Sequence, residues 1–253
     1  MILMKIAATD FDGTFCPIGQ PVPAENLAAV HQWQEAGHKF GIATGRGYSL
    51  ISQALKPYDL KVDYLVCNNG AVSVDASGRM IHCHAISRTV LTDLLALPII
   101  QGNDAPLLIF TATHAYSVRP NPDMNMELVE MIELQDVLQL QDVVQVSMKL
   151  TTPAEAQQVS DDIQRRFPML GGNINRSYLD INRSEADKGW GLMRMAQSGN
   201  WKDSEILAIG DDKNDLPMIE RFGGFTMTTA KPFMKEAATK VYDSVGQMLL
   251  DHL

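Results

Sequence analysis

Three short apolar runs, Ile2 to Ala8, Phe40 to Ala43 and Tyr64 to Cys67, punctuate the first third of the chain, with helical stretches between them. The first reads as a buried strand, and the other two as shorter strands of the same kind. Between the first two, Pro23-Ala24-Glu25 opens a helical stretch in which Leu27, Val30 and Trp33 recur at helical spacing, and Gly37 is placed to stop it. Tyr48 to Leu55 is a second helical run. Strands alternating with helices at this spacing imply right-handed crossovers and a parallel sheet. The rhythm returns late in the chain, with a helix over Lys188 to Ala196, a strand over Ile206 to Ile209, a helix from about Asp215 and a short strand from Gly224 to Met227.

Between these two blocks the pattern changes. Ala71 to Asp75 and Arg79 to His84 alternate around Ser77-Gly78, a hairpin signal. Ser87 can cap a helix running to about Leu97. Leu107 to Thr113, Ala115 to Val118 and Val143 to Leu150 read as strands, Pro153 to Phe167 as a helix with proline near its start, and Tyr178 to Asn182 as one more strand. A tandem Leu-Gln-Asp-Val repeat across 134–145 is too short for a solenoid and reads as a helix-to-strand connection. The expected fold class is α/β, with a core formed by 1–82 and 185–253 and an α+β unit, 83–184, inserted within it.

The chain has 253 residues, 45% of them hydrophobic and 20% charged, the composition of an ordinary globular protein. No apolar stretch reaches the length of a membrane span, and the apolar start is too short for a signal peptide, so a cytoplasmic location is expected. Cys16, Cys67 and Cys83 are few, odd in number and far apart, which argues against a disulfide framework or a cysteine zinc site. The net charge of −9 weighs against nucleic acid or an anionic membrane as partner. A small anionic substrate stays compatible with it where Lys188, Arg46 and a metal ion offset the field.

The first strand closes on Asp10-Phe11-Asp12-Gly13-Thr14. An Asp/Gly turn after a strand is common, but two carboxylates so close repel unless a cation sits between them. Further polar clusters follow at corresponding places, each just after a strand or at a helix start: Thr44/Gly45, Lys188 and Asp211/Asn214/Asp215. Strands of a parallel sheet share one carboxyl end, so clusters distant in sequence can converge there. Phosphoryl transfer needs such a set, because its transition state spreads negative charge over three oxygens. In that reading Asp10 is nucleophile and metal ligand, Asp12 is acid and then base, and Asp211 completes a Mg2+ site. Thr44, nearby backbone N–H groups and Lys188 would hold the phosphoryl oxygens. Asn214 would bond a phosphate oxygen or orient a ligand, and Asp215 would fix Lys188. Each cluster alone has a plainer reading: Thr44 as a helix cap, Lys188 as a solvated first-turn residue, Asp211 or Asp212 as a cap. His82 and His84 share a strand face, but no third ligand is evident.

Asp10-Phe11-Asp12-Gly13-Thr14, Thr44-Gly45-Arg46, Asp187-Lys188-Gly189 and Gly210 to Asp215 resemble the four motifs of the haloacid dehalogenase superfamily of phosphatases, and more closely its Cof-type (class IIB) sugar-phosphatase branch. Asn68-Asn69-Gly70-Ala71 and Tyr178 to Asn182 are also similar to that branch. The resemblance covers the whole chain. It implies a Rossmann-like core with an α/β cap inserted between the Thr44 and Lys188 motifs. It also implies that Asp10, Asp12 (through its backbone carbonyl) and Asp211 bind Mg2+, and that Gly45, Arg46, Asn69 and Asn214 stand on the substrate side. One departure is Met227-Thr228-Thr229-Ala230, where many members carry Gly-Asn before the alanine. The expectation is a Mg2+-dependent phosphatase acting on a small phosphorylated metabolite, a sugar phosphate, through an aspartyl-phosphate, with the cap closing over the core. A sugar phosphomutase using the same intermediate, or a non-catalytic phosphometabolite-binding regulator, are the alternatives.

Overall fold

The computed structural model describes residues 4–102, 104–122 and 125–253. Ile2 and Leu3 of the first predicted strand lie outside the described residues. The elements in chain order are β1 (Ile6–Thr9), α1 (Ala24–Glu35), β2 (Lys39–Ala43), α2 (Tyr48–Leu55), β3 (Tyr64–Cys67), β4 (Val72–Asp75) and β5 (Met80–Cys83). They continue with α3 (Arg88–Leu95), α4 (Pro98–Gln101), β6 (Leu107–Thr111), β7 (Ala115–Arg119), β8 (Glu130–Met131), β9 (Val143–Lys149), α5 (Pro153–Arg166), β10 (Leu170–Asn175) and β11 (Tyr178–Arg183). The last third holds α6 (Lys188–Gly199), β12 (Ile206–Gly210), α7 (Leu216–Phe222), β13 (Phe225–Met227), α8 (Pro232–Ala237), β14 (Lys240–Tyr242) and α9 (Val245–Asp251). No helix among the described residues is long and apolar enough to cross a membrane.

Two compact units divide the chain. One takes in Met1–Thr44, Leu55–His82 and Asp187–Leu253, the other Gly45–Ala54 and Cys83–Ala186. Gly45–Ala54, which the strand–helix rhythm assigned to the core, groups with the second unit.

In the first unit an eight-stranded sheet runs β14-β13-β12-β1-β2-β3-β4-β5. From β14 to β3 every pair is parallel, and β4 turns back antiparallel on β3. Ile6, Ala7, Ala8, Phe40, Ile42, Val66, Ala208 and Ile209 are buried, the signature of strands covered on both faces. Register is even across the centre, since Thr9 pairs with both Ile209 and Ile42. The residues that follow β1, β2 and β12, namely Asp10, Thr44 and Asp211, therefore leave the sheet at one edge.

The second unit has a six-stranded sheet, β10-β11-β9-β6-β7-β8. Leu91, Leu94 and Leu95 of α3 and Ala156 and Ile163 of α5 form one core with Leu107, Ile109, Val146, Met148, Leu179 and Ile181. The helix expected to reach Leu97 stops at Leu95, because Pro98 cannot continue it and opens α4 instead. β10 escaped the sequence reading: Leu-Gly-Gly-Asn-Ile-Asn has little strand propensity and is held by six paired positions along β11. The short β14 and the helices α8 and α9 were also unforeseen.

Candidate active site

Asp10 stays in register for one residue beyond β1, its N–H donating to Ile209 O at 2.9 Å. The chain then folds back at once, with Gly13 N–H on Cys16 O at 2.9 Å and Cys16 N–H on Phe11 O at 2.8 Å. Gly13 has φ +95°, and a Cβ there would stand 2.7 Å from Asp211 Oδ2. Glycine is required twice over, by conformation and by proximity. The Thr14 hydroxyl donates to Asp211 Oδ1 at 2.5 Å. Phe15 anchors the loop on Phe40, ring centroids 5.3 Å apart.

Lys188 is the first residue of α6, whose N-cap Asp187 accepts the Trp190 N–H at 2.7 Å. Its side chain is fully buried and bridges two carboxylates, Asp10 Oδ1 at 2.6 Å and Asp215 Oδ1 at 2.5 Å. The other oxygen of Asp215 accepts the N–H groups of Asp211 (2.9 Å) and Asp212 (3.1 Å). Burial alone would lower the Lys188 pKa, but the charges of Asp10 and Asp215 outweigh it and hold the ammonium above its ordinary range. Burial pushes the Asp10 carboxyl well up, reinforced by Asp215 and Asp211 and opposed by Lys188. Asp211 is raised as well, by burial and by Asp215, against the Thr14 hydrogen bond.

Carboxylate oxygens of Asp10, Asp211 and Asp215 lie within 4.8 Å of one another. Three acids against one ammonium leave an excess of negative charge, and all the donors are hard oxygens, so the residues fit Mg2+. Asp215 has both oxygens engaged by hydrogen bonds, which leaves Asp10 and Asp211 to present oxygens to an ion. Asp12 is half-buried, its backbone bridged to Cys16, and its carboxylate stands outside this group.

Thr44, also buried, donates its N–H to Val66 O at 2.8 Å and accepts the Asn69 N–H at 3.1 Å. Asn214 Nδ2 donates to Asn69 Oδ1 at 3.1 Å. Asp10, Lys188, Asp211 and Asp215 are thus brought together, and Thr44, Asn69 and Asn214 form a second linked set. Gly45 and Arg46 are half-buried and group with the second unit. The sequence reading missed Thr14; a hydroxyl directly after the Asp-Gly turn was its signal. Lys231 makes an exposed ion pair with Asp212 at 2.8 Å, close in sequence to the Thr228-Thr229 departure. Both those threonines are exposed. His82 stands edge-on to Trp190 at 4.6 Å and His84 faces Glu185 at 3.4 Å.

Residues 7–247 match the family of haloacid dehalogenase-like hydrolases. Phosphatase YwpJ of Bacillus subtilis is 24% identical to this chain, covering 94% of each protein. HMP-PP phosphatase of Yersinia pseudotuberculosis is also 24% identical, over 92% of this chain and 87% of its own. Among solved structures, a haloacid dehalogenase-like hydrolase from B. subtilis superposes with TM-score 0.85 at 21% identity, over 99% of this chain and 100% of the other. A subclass IIB sugar phosphatase, BT4131, gives TM-score 0.83 at 20% identity, over 98% and 99%. These structural likenesses place the fold.

Proposed function

The chain belongs to the haloacid dehalogenase-like hydrolases, and from that premise we propose that it is a Mg2+-dependent phosphatase of a small phosphorylated metabolite. A sugar phosphate is the favoured class, in keeping with the similarity to a subclass IIB sugar phosphatase; the HMP-PP phosphatase similarity also points to a phosphorylated small molecule. The observation that carries the reading is the buried Lys188 held between Asp10 and Asp215, with Asp211 alongside. Simple folding gives no reason to bury an ammonium and two carboxylates together with a third half-buried beside them, and burying charge is unfavourable unless function retains it.

In the proposed reaction an Asp10 oxygen forms a bond to phosphorus as the bond to the leaving oxygen breaks. Asp12 gives its proton to that oxygen, so the product leaves as an alcohol. Asp12, now a base, takes a proton from water; the water oxygen bonds to phosphorus, the aspartyl–phosphorus bond breaks, and inorganic phosphate departs. Lys188 fixes the Asp10 carboxylate and supplies positive charge to the phosphoryl oxygens. The Thr44 N–H is engaged by Val66, so the residue acts through its hydroxyl, and the backbone donors to phosphate come from Gly45 onward. Asn214 stands on the phosphate side. Bound to Asp10, Asp211 and the Asp12 carbonyl, Mg2+ would relieve the repulsion between carboxylate and phosphoryl oxygens. Selection of the substrate is assigned to residues 83–184 and to Arg46.

Purified protein screened against a panel of phosphorylated metabolites should release phosphate with Mg2+, stop when EDTA is added, and lose turnover in Asp10→Ala. Turnover that survives EDTA, or an Asp10→Ala protein as active as the parent, rejects the reading.

A further inference from the structure

The turn Asn68–Gly70 at the end of β3 contains no ionisable side chain, yet it is unusual in its backbone. Asn68 has φ 50°, Asn69 φ 52° and Gly70 φ 99°, three left-handed residues in succession, all buried. Left-handed backbone is unfavourable for L residues, asparagine tolerating it better than most, and a run of three persists only where its surroundings over-determine it.

What surrounds it is the candidate site. A Cβ on Gly70 would fall 1.9 Å from Asp187 O, the residue before Lys188. A Cβ on Gly191, one turn into α6, would fall 2.6 Å from Gly70 Cα. The Asn69 N–H donates to Thr44 O at 3.1 Å, and Asn69 Oδ1 accepts Asn214 Nδ2 at 3.1 Å. One turn of three residues therefore touches the start of the Lys188 helix, the end of the Thr44 strand and the loop that follows β12.

We propose that Asn69 is a positioning residue: its left-handed backbone and its amide together hold Thr44 and Asn214 in mutual register. This assignment rests on the phosphatase reading and replaces the expectation that Asn69 binds substrate. Asn69 is 1% exposed, and its side-chain oxygen already has a protein donor. The fixed backbone lets that oxygen act as a rigid stop for Asn214, which reaches it from 145 residues away.

Asn69→Gly removes the amide while keeping the left-handed backbone free of strain. With p-nitrophenyl phosphate and saturating Mg2+ it should lose about tenfold in kcat/KM, the scale of one buried hydrogen bond. Most of the loss should fall on kcat, with circular dichroism and Tm close to the parent. Asn214→Ala leaves the turn intact and should lose a similar factor, and the double variant should be no slower than the slower single, as coupled partners are. Either single variant at the parental rate, or two losses that multiply in the double, overturns the assignment. A parent protein that releases no phosphate removes the phosphatase reading and this assignment with it; unaltered variants of an active parent remove only this assignment.

Discussion

Asp215 has one oxygen on Lys188 and the other on two backbone amides, which separates it from Asp10 and Asp211 although all three lie together. Proximity alone would name three metal ligands; in the proposed Mg2+ site, hydrogen-bond occupancy would leave two carboxylates for the ion and make the third a support for the ammonium. The sequence motifs named all three acids, because carboxylates that close the strands of one sheet are conspicuous as residue types. They did not reveal Thr14, whose hydroxyl reaches Asp211 at 2.5 Å across 197 residues of chain. A threonine after an Asp-Gly turn has too many ordinary uses for its partner to be read in advance. Replacing that hydroxyl by a methyl group in Thr14→Val frees Asp211 to rotate. Half-saturating Mg2+, followed both by activity and by the rise in Tm on adding Mg2+, should increase about tenfold on the scale of a hydrogen bond to a charged group. An unchanged Mg2+ midpoint in both readouts shows that Thr14 does not position Asp211.

At the level of elements, α6 illustrates how a helix start can place a charge where electrostatics disfavours it. Lys188 sits in the first turn, against the positive end of the helix dipole. Asp187, as N-cap, and the two carboxylates facing the ammonium counter that field. Removing the cap in Asp187→Ala should destabilise the protein by about 1 kcal/mol, about 2–4 °C in Tm for a chain of this size. Turnover should fall with it, since the same turn aims Lys188. A Tm within 1 °C (about the measuring error) of the parent means that the cap does little here. Strands that end on polar clusters were legible from their apolar runs, and so was α6. β10 was not, because two glycines carry no pattern and its pairing with β11 is a tertiary fact; a Cβ on Gly172 would fall 2.2 Å from Ser160 Oγ of α5. Left-handed Asn68 and Asn69 were equally invisible, since asparagine is as common in ordinary turns.

Over the whole molecule, the parallel order of the first sheet followed from rhythm. Lys5, just before β1, reaches two histidines distant in sequence: its N–H donates to the His38 ring at Nδ1, 3.2 Å, and its Nζ to the backbone carbonyl of His252 at 2.5 Å. Burial, and then the Lys5 charge, lower both imidazoles below the ordinary value of 6.5. The folded state thus prefers them neutral, so their contribution is complete above pH 6.5 and is lost as pH falls below it. Denaturant unfolding in saturating Mg2+ should show stability dropping as pH falls below 6.5, and His38→Gln should flatten that slope. A slope identical in the two proteins dismisses His38 as a contributor. The sheet order has a further consequence in time. β1 is flanked by β2 and by β12, so the strand that leads to Asp10 acquires its second neighbour only when residues near 206–210 have been made. A nascent chain emerging from the ribosome carries Asp10 first and Lys188, Asp211 and Asp215 last. The edge of β1 must be sheltered from other strands until the final third arrives.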